Sequence, residues 1–201
     1  MKNDNYIWQF TADDPDHIDY LVQQCKHDPH KPNANGVTAL MFMAGQGHKK
    51  CIQHLLQKYR VDPEVKNKHN HTALMLAIKS KQLQSVRALV QYGGVDINMA
   101  DHNGVTPLMM AAKHGSLPPM FYLIEAGAYL NTTCHKGKTA LDWAKEHQQE
   151  YCCIALENAI KAKENATARL PWGKTKPRRT EDKRSILKRK HQALRNYVKR
   201  R

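Results

Sequence analysis

Apolar positions along this chain recur on a long period, not in one continuous pattern. Four segments place a leucine two residues after a threonine: Thr38-Ala39-Leu40, Thr72-Ala73-Leu74, Thr106-Pro107-Leu108 and Thr139-Ala140-Leu141. The threonines stand 34, 34 and 33 residues apart. Small residues follow at Ala44, Ala77, Ala111 with Ala112, and Ala144. A second pair of positions comes 17 and 18 residues after each threonine: Leu55-Leu56, Leu89-Val90, Leu123-Ile124 and Leu156-Glu157. The units close with Val61-Asp62-Pro63, with Gly93-Gly94-Val95-Asp96-Ile97-Asn98 and with Gly127-Ala128-Tyr129-Leu130-Asn131. This pattern predicts two short helices per unit and a turn between units.

Each position has a physical reason. A threonine at a helix start can accept from backbone N–H groups that have no partner inside the helix, and Pro or Ala fits the first turn. Alanines let a neighbouring unit come close. The leucine pair supplies the inner face of a second helix, and Gly-Gly or Gly-Ala ends it with a residue free to take positive φ. A helix pair of this size cannot bury its apolar face alone, so the copies must stack. The unit resembles the ankyrin repeat, with its T-P-L-H-x-A start and period of about 33 residues. Thr106-Pro107-Leu108-Met109-Met110-Ala111 is the nearest copy. The resemblance implies an all-α solenoid.

On this reading residues 33–160 form four repeats. Residues 1–32 form an N-terminal capping unit, and residues 161–201 a basic C-terminal helical extension. In the cap, His17–Val22 is expected as a second helix with Ile18, Leu21 and Val22 on one face, and Tyr6, Ile7, Trp8 and Phe10 as a short first helix. Met41, Met75, Met109 and Asp142 stand where the family's histidine ties one unit to the next. Methionine there implies adaptable packing in place of polar ties. Lys81 and Gln148 occupy a turn place usually held by Gly, and Asn70 another, where Asn tolerates positive φ.

Charge divides the chain. Of its net +14, residues 161–201 carry +13 and residues 1–160 only +1. That predicts a near-neutral body with a basic tail. The five cysteines, Cys25, Cys51, Cys134, Cys152 and Cys153, are odd in number and irregular in spacing, so a reducing compartment is expected. No run of 18 apolar residues occurs, and the polar start Met1-Lys2-Asn3-Asp4-Asn5 predicts no secretory leader.

Catalytic signatures are missing: no Gly-rich phosphate loop, no G-x-S-x-G and no H-E-x-x-H. No enzymatic activity and no cofactor are expected. Cys25, His27 and His30 cluster in sequence, but their spacing does not match structural zinc pairs, and a polar turn is the simpler reading.

The resemblance implies that a partner is gripped by hairpin tips and by the exposed side of each first helix. Counting from each threonine places Lys68, His69, His71, Lys79, His102, Asn103, Lys113, His114, His135, Lys136 and Lys138 on that concave face. The stripe is rich in Lys and His. It predicts a protein–protein interaction scaffold that binds an acidic or phosphorylated protein segment. A solvated face without a partner is the bland alternative.

The tail offers two basic clusters, Lys176, Arg178 and Arg179, then Lys188, Arg189 and Lys190. Leu187, His191, Leu194 and Val198 fall on one side of a candidate helix. Docking or nuclear targeting, nonspecific nucleic-acid binding, an anionic membrane and a solvated tail all fit. The leading expectation is a monomeric, cytoplasmic adaptor. The alternatives are a nucleic-acid-associated or nuclear protein and a bacterial effector acting in host cytoplasm.

Overall fold

The structure, a computed structural model, describes residues 13–167. The expectations for Tyr6, Ile7, Trp8 and Phe10, and for the tail from Ala168 onward, lie outside the described residues. Within them the chain is all α, with nine helices and no strand. These are α1 (Pro15–Gln23), α2 (Ala39–Gln46), α3 (Lys49–Gln57), α4 (Ala73–Lys79), α5 (Leu83–Gly93), α6 (Pro107–His114), α7 (Leu117–Glu125), α8 (Ala140–Glu146) and α9 (Glu150–Thr167).

The threonines do what their spacing predicts. Thr38, Thr72, Thr106 and Thr139 are the N-caps of α2, α4, α6 and α8. Each Oγ1 accepts from the backbone N–H three residues on, at 3.2, 3.4, 3.3 and 3.3 Å. The last cap is reciprocal, since Asp142 Oδ2 accepts from the Thr139 N–H at 2.9 Å and its hydroxyl at 2.7 Å. Those bonds hold the Asp142 carboxyl below its ordinary range.

Two rows of helices follow. First helices pack on first helices, α2 on α4 on α6 on α8, and second helices on second helices, α3 on α5 on α7. Ala44, Ala77, Ala111, Ala112 and Ala144 are buried, which lets the rows approach. Leu55, Leu89, Leu123 and Leu156 are fully buried in one continuous core. In front, α1 adds Ile18 and Leu21 to the buried set, with Val22 packed at the edge. At the far end Cys152 is buried and Cys153 half-buried.

Met41, Met75 and Met109 are buried. The Thr106 N–H donates to Met109 Sδ at 3.5 Å, so a thioether closes a capping box. Polar ties between units run through other groups. Lys68 N–H donates to the Asn35 carbonyl at 3.1 Å and His135 N–H to the Asn103 carbonyl at 2.9 Å. Ser116 Oγ donates to the Ile78 carbonyl at 2.7 Å, and Asn98 Oδ1 accepts from Tyr129 N–H at 2.9 Å.

The turn between first and second helices needs positive φ, and it is met by Gly47 (93°), Lys81 (60°), Gly115 (62°) and Gln148 (55°). Lys81 and Gln148 adopt the left-handed conformation at an intrinsic cost of about 1–2 kcal/mol each.

Candidate functional site

The hairpins that carry the stripe are organised by one side chain each. Asn33 Oδ1 accepts from the N–H groups of Asn35 and Val37, at 2.8 and 3.0 Å. Asn67 Oδ1 does the same for His69 and His71, at 2.9 and 3.0 Å, and Asp101 Oδ1 for Asn103 and Val105, at 2.8 and 2.9 Å. Gly36, Asn70, Gly104 and Gly137 take positive φ in the same place of each hairpin. In the fourth hairpin Cys134 stands at this position, with its N–H donating to the Lys138 carbonyl at 3.0 Å. Burial raises its thiol, but the N–H groups of Lys136 and Lys138 outweigh that and lower it, with a further contribution from the Trp143 indole.

This scaffold sets the predicted residues out. Lys68, His69, His102, Asn103, His135 and Lys136 are exposed at the hairpin tips, and Lys79 is exposed at the end of α4. His71, Lys113, His114 and Lys138 are half-buried. The rings of His69 and His71 lie 6.1 Å apart. Burial and then the charge of Lys79 push the His71 imidazole below its ordinary value, and His69 and His102 add to this against an opposing Asp101. Burial also lowers His114, followed by Lys113, Lys79, His147 and Lys81. The charge of Lys79 thus acts on both imidazoles, His71 of the second unit and His114 of the third. Lys138 is engaged differently: its Nζ pairs with Glu146 Oε2 at 2.7 Å. The tail positions Lys176, Arg178, Arg179, Lys188, Arg189 and Lys190 lie outside the described residues.

Sequence reasoning missed Trp143. It sits on α8, half-buried, with Lys113 Nζ 4.9 Å and Lys138 Nζ 5.4 Å from its ring centroid. The His147 ring is 5.5 Å away, and His147 Nδ1 donates to the Trp143 carbonyl at 3.1 Å. The signal was in the repeat. Phe42, Leu76, Met110 and Trp143 each follow their capping threonine by four residues. Three or four residues further on come Gln46, Lys79, Lys113, His114 and His147, on the same side of each helix by spacing. The same place in each first helix is thus apolar, beside the cationic stripe. Phe42, Leu76 and Trp143 are half-buried and Met110 is 5% exposed.

A family model described as ankyrin repeats (three copies) matches residues 10–101 and 93–167. The chain belongs to the ankyrin-repeat family. No curated protein matches it. Ankyrin repeats are protein–protein interaction modules, and a protein partner follows from membership. No helix among the described residues is long and apolar enough to cross a membrane. Away from the stripe, Asp28 Oδ1 accepts from His30 N–H at 2.9 Å and closes a polar turn at the Cys25–His30 cluster.

Proposed function

We propose that the hairpin tips and first helices of this ankyrin-repeat chain hold an acidic or phosphorylated protein segment, and that the protein is an adaptor that performs no reaction. One observation carries the reading: the strongest charges that act on His114 come from Lys113, Lys79, His147 and Lys81, all of them basic. A face that gathers like charge around half-buried imidazoles favours an anionic occupant, which would relieve their mutual repulsion. The apolar places from Phe42 to Trp143 add contact area beside those charged groups.

In this reading residues 1–32 cap the stack, residues 33–160 are four repeats, and residues 161–201 are an auxiliary docking or targeting segment. The adaptor is monomeric and cytoplasmic. The test is a titration of Glu/Asp-rich and phosphorylated peptides against the full chain and against a variant with Lys68, Lys113 and Lys136 changed to Gln. The variant should bind at least about ten-fold more weakly, near 1.4 kcal/mol, at unchanged melting temperature. Equal affinity would sink the groove reading.

A further inference from the structure

We propose that Lys113, Trp143 and Lys138 form the anchoring subsite of this face, and that it takes the phosphate monoester of a phosphoserine or phosphothreonine side chain. The inference rests on the groove reading and sharpens it to one place and one chemistry.

The two lysines come from different units, Lys113 from α6 and Lys138 from the hairpin before α8. Both ammonium groups sit over the same indole, at 4.9 and 5.4 Å from its centroid. They are therefore no more than about 10 Å from one another. Contact with the ring restricts two long side chains that would otherwise sample many rotamers, so part of the ordering entropy is lost before a ligand arrives. Both lysines are half-buried, whereas Lys68, Lys79 and Lys136 are exposed. A charge-assisted bond gains strength away from bulk water.

The neighbouring groups select the anion. Glu146 already accepts from Lys138 at 2.7 Å, so a carboxylate of the protein shows where an anionic oxygen fits. His147 Nδ1 donates to the Trp143 carbonyl, which holds the imidazole beside the indole. A phosphate monoester brings close to two charges and three acceptor oxygens, enough for both ammoniums. A ligand carboxylate brings one charge and two acceptor oxygens, so it competes less well with Glu146 for Lys138.

The experiment uses the full chain with Trp8→Phe and Trp172→Phe, so that emission comes from Trp143. The probe is a short Gly/Ala peptide with one central phosphoserine, beside twins carrying Ser or Glu at that place. The phosphopeptide should change the emission saturably, the Ser twin should not, and the Glu twin should bind about ten-fold more weakly. Lys113→Gln should cost about ten-fold, the worth of one charge-assisted bond. Glu146→Gln should tighten binding several-fold by freeing Lys138, while Glu150→Gln on α9 should leave it unchanged. Equal response to phosphoserine and serine, or no saturable response to the phosphopeptide by about 10 mM, overturns the subsite. If anionic peptides lose affinity with Lys68→Gln and Lys136→Gln but not with Lys113→Gln, the subsite falls and the groove stands. If no anionic peptide binds the full chain, both fall.

Discussion

At the joint between α1 and α3, cations meet a carboxylate; around His114 on the first-helix face, Lys113, Lys79 and Lys81 meet one another. Asp19 Oδ1 accepts from His54 Nε2 at 2.6 Å and from the Tyr59 hydroxyl at 2.7 Å, and Oδ2 from Lys58 Nζ at 2.5 Å. Burial pushes the Asp19 carboxyl up, but the bonds from His54, Lys58 and Tyr59 outweigh it and hold the group far below the ordinary carboxylate range. Burial and then Asp19 raise the Tyr59 phenol to about 12. Nearby, Asp13 Oδ1 accepts from the Lys50 and Cys51 N–H groups at 2.8 and 3.0 Å and caps α3, which has no side-chain cap from His48. Histidine and lysine here fasten one helix to another. At Lys79 and His114 the same residue types face like charge, and in the function proposed above their complement comes from another molecule. The neighbours, not the residue type, separate the two cases, and Lys138, paired with the exposed Glu146, lies between them.

That contrast breaks most visibly at Asp19. Asp19→Ala strips three donors of their common acceptor and should lower stability by about 1–3 kcal/mol, read as a fall in denaturation midpoint, with anionic-peptide affinity unchanged. If affinity fell and stability held, the assignment of the two regions would be reversed. A pH series sharpens the comparison. His71 and His114 have lowered values in the folded chain, so the unfolded chain binds more protons. Their contribution is present above the ordinary 6.5 and is lost as pH falls through it. Asp19 is also lowered, so its contribution is present above the ordinary 3.8 and is lost only as pH falls below that. Denaturation midpoints should therefore decline in two stages. His71→Gln with His114→Gln should flatten the upper stage, and Asp19→Asn the lower. The smallest effect belongs to the fourth hairpin. Cys134→Asp restores the oxygen acceptor found in the other three and should raise stability by about 0.5–1 kcal/mol in a thermal melt. A loss would mean that the thiol's burial matters more than the turn.

The repeat was legible because its geometry forces particular residues to recur. Thr38, Thr72, Thr106 and Thr139 had to be short oxygen-bearing caps, and the buried leucines had to fill the same space in each copy. The turn residues Lys81 and Gln148 were legible as oddities for the same reason. The hairpin acceptors Asn33, Asn67 and Asp101 were equally periodic and were passed over. Their pattern breaks at Cys134, and a sulfur in a series of oxygens hides the equivalence. Trp143 escaped because attention to charge skipped the apolar places beside it, and a tryptophan that carries two lysines looks like core until distances are known. The Asp19 cluster was illegible. Asp19 lies 35 to 40 residues from its three donors, and nothing in local spacing joins it to them.

The methionine at the third place of α2, α4 and α6 has one last consequence. Met41, Met75 and Met109 put the same methyl group at the same depth in three successive copies. The chain thereby carries its own ruler of cooperativity. Isotope-labelled methyl resonances that fade together with urea would mean the array melts as a single body, and staggered fading would mean it peels apart one interface at a time.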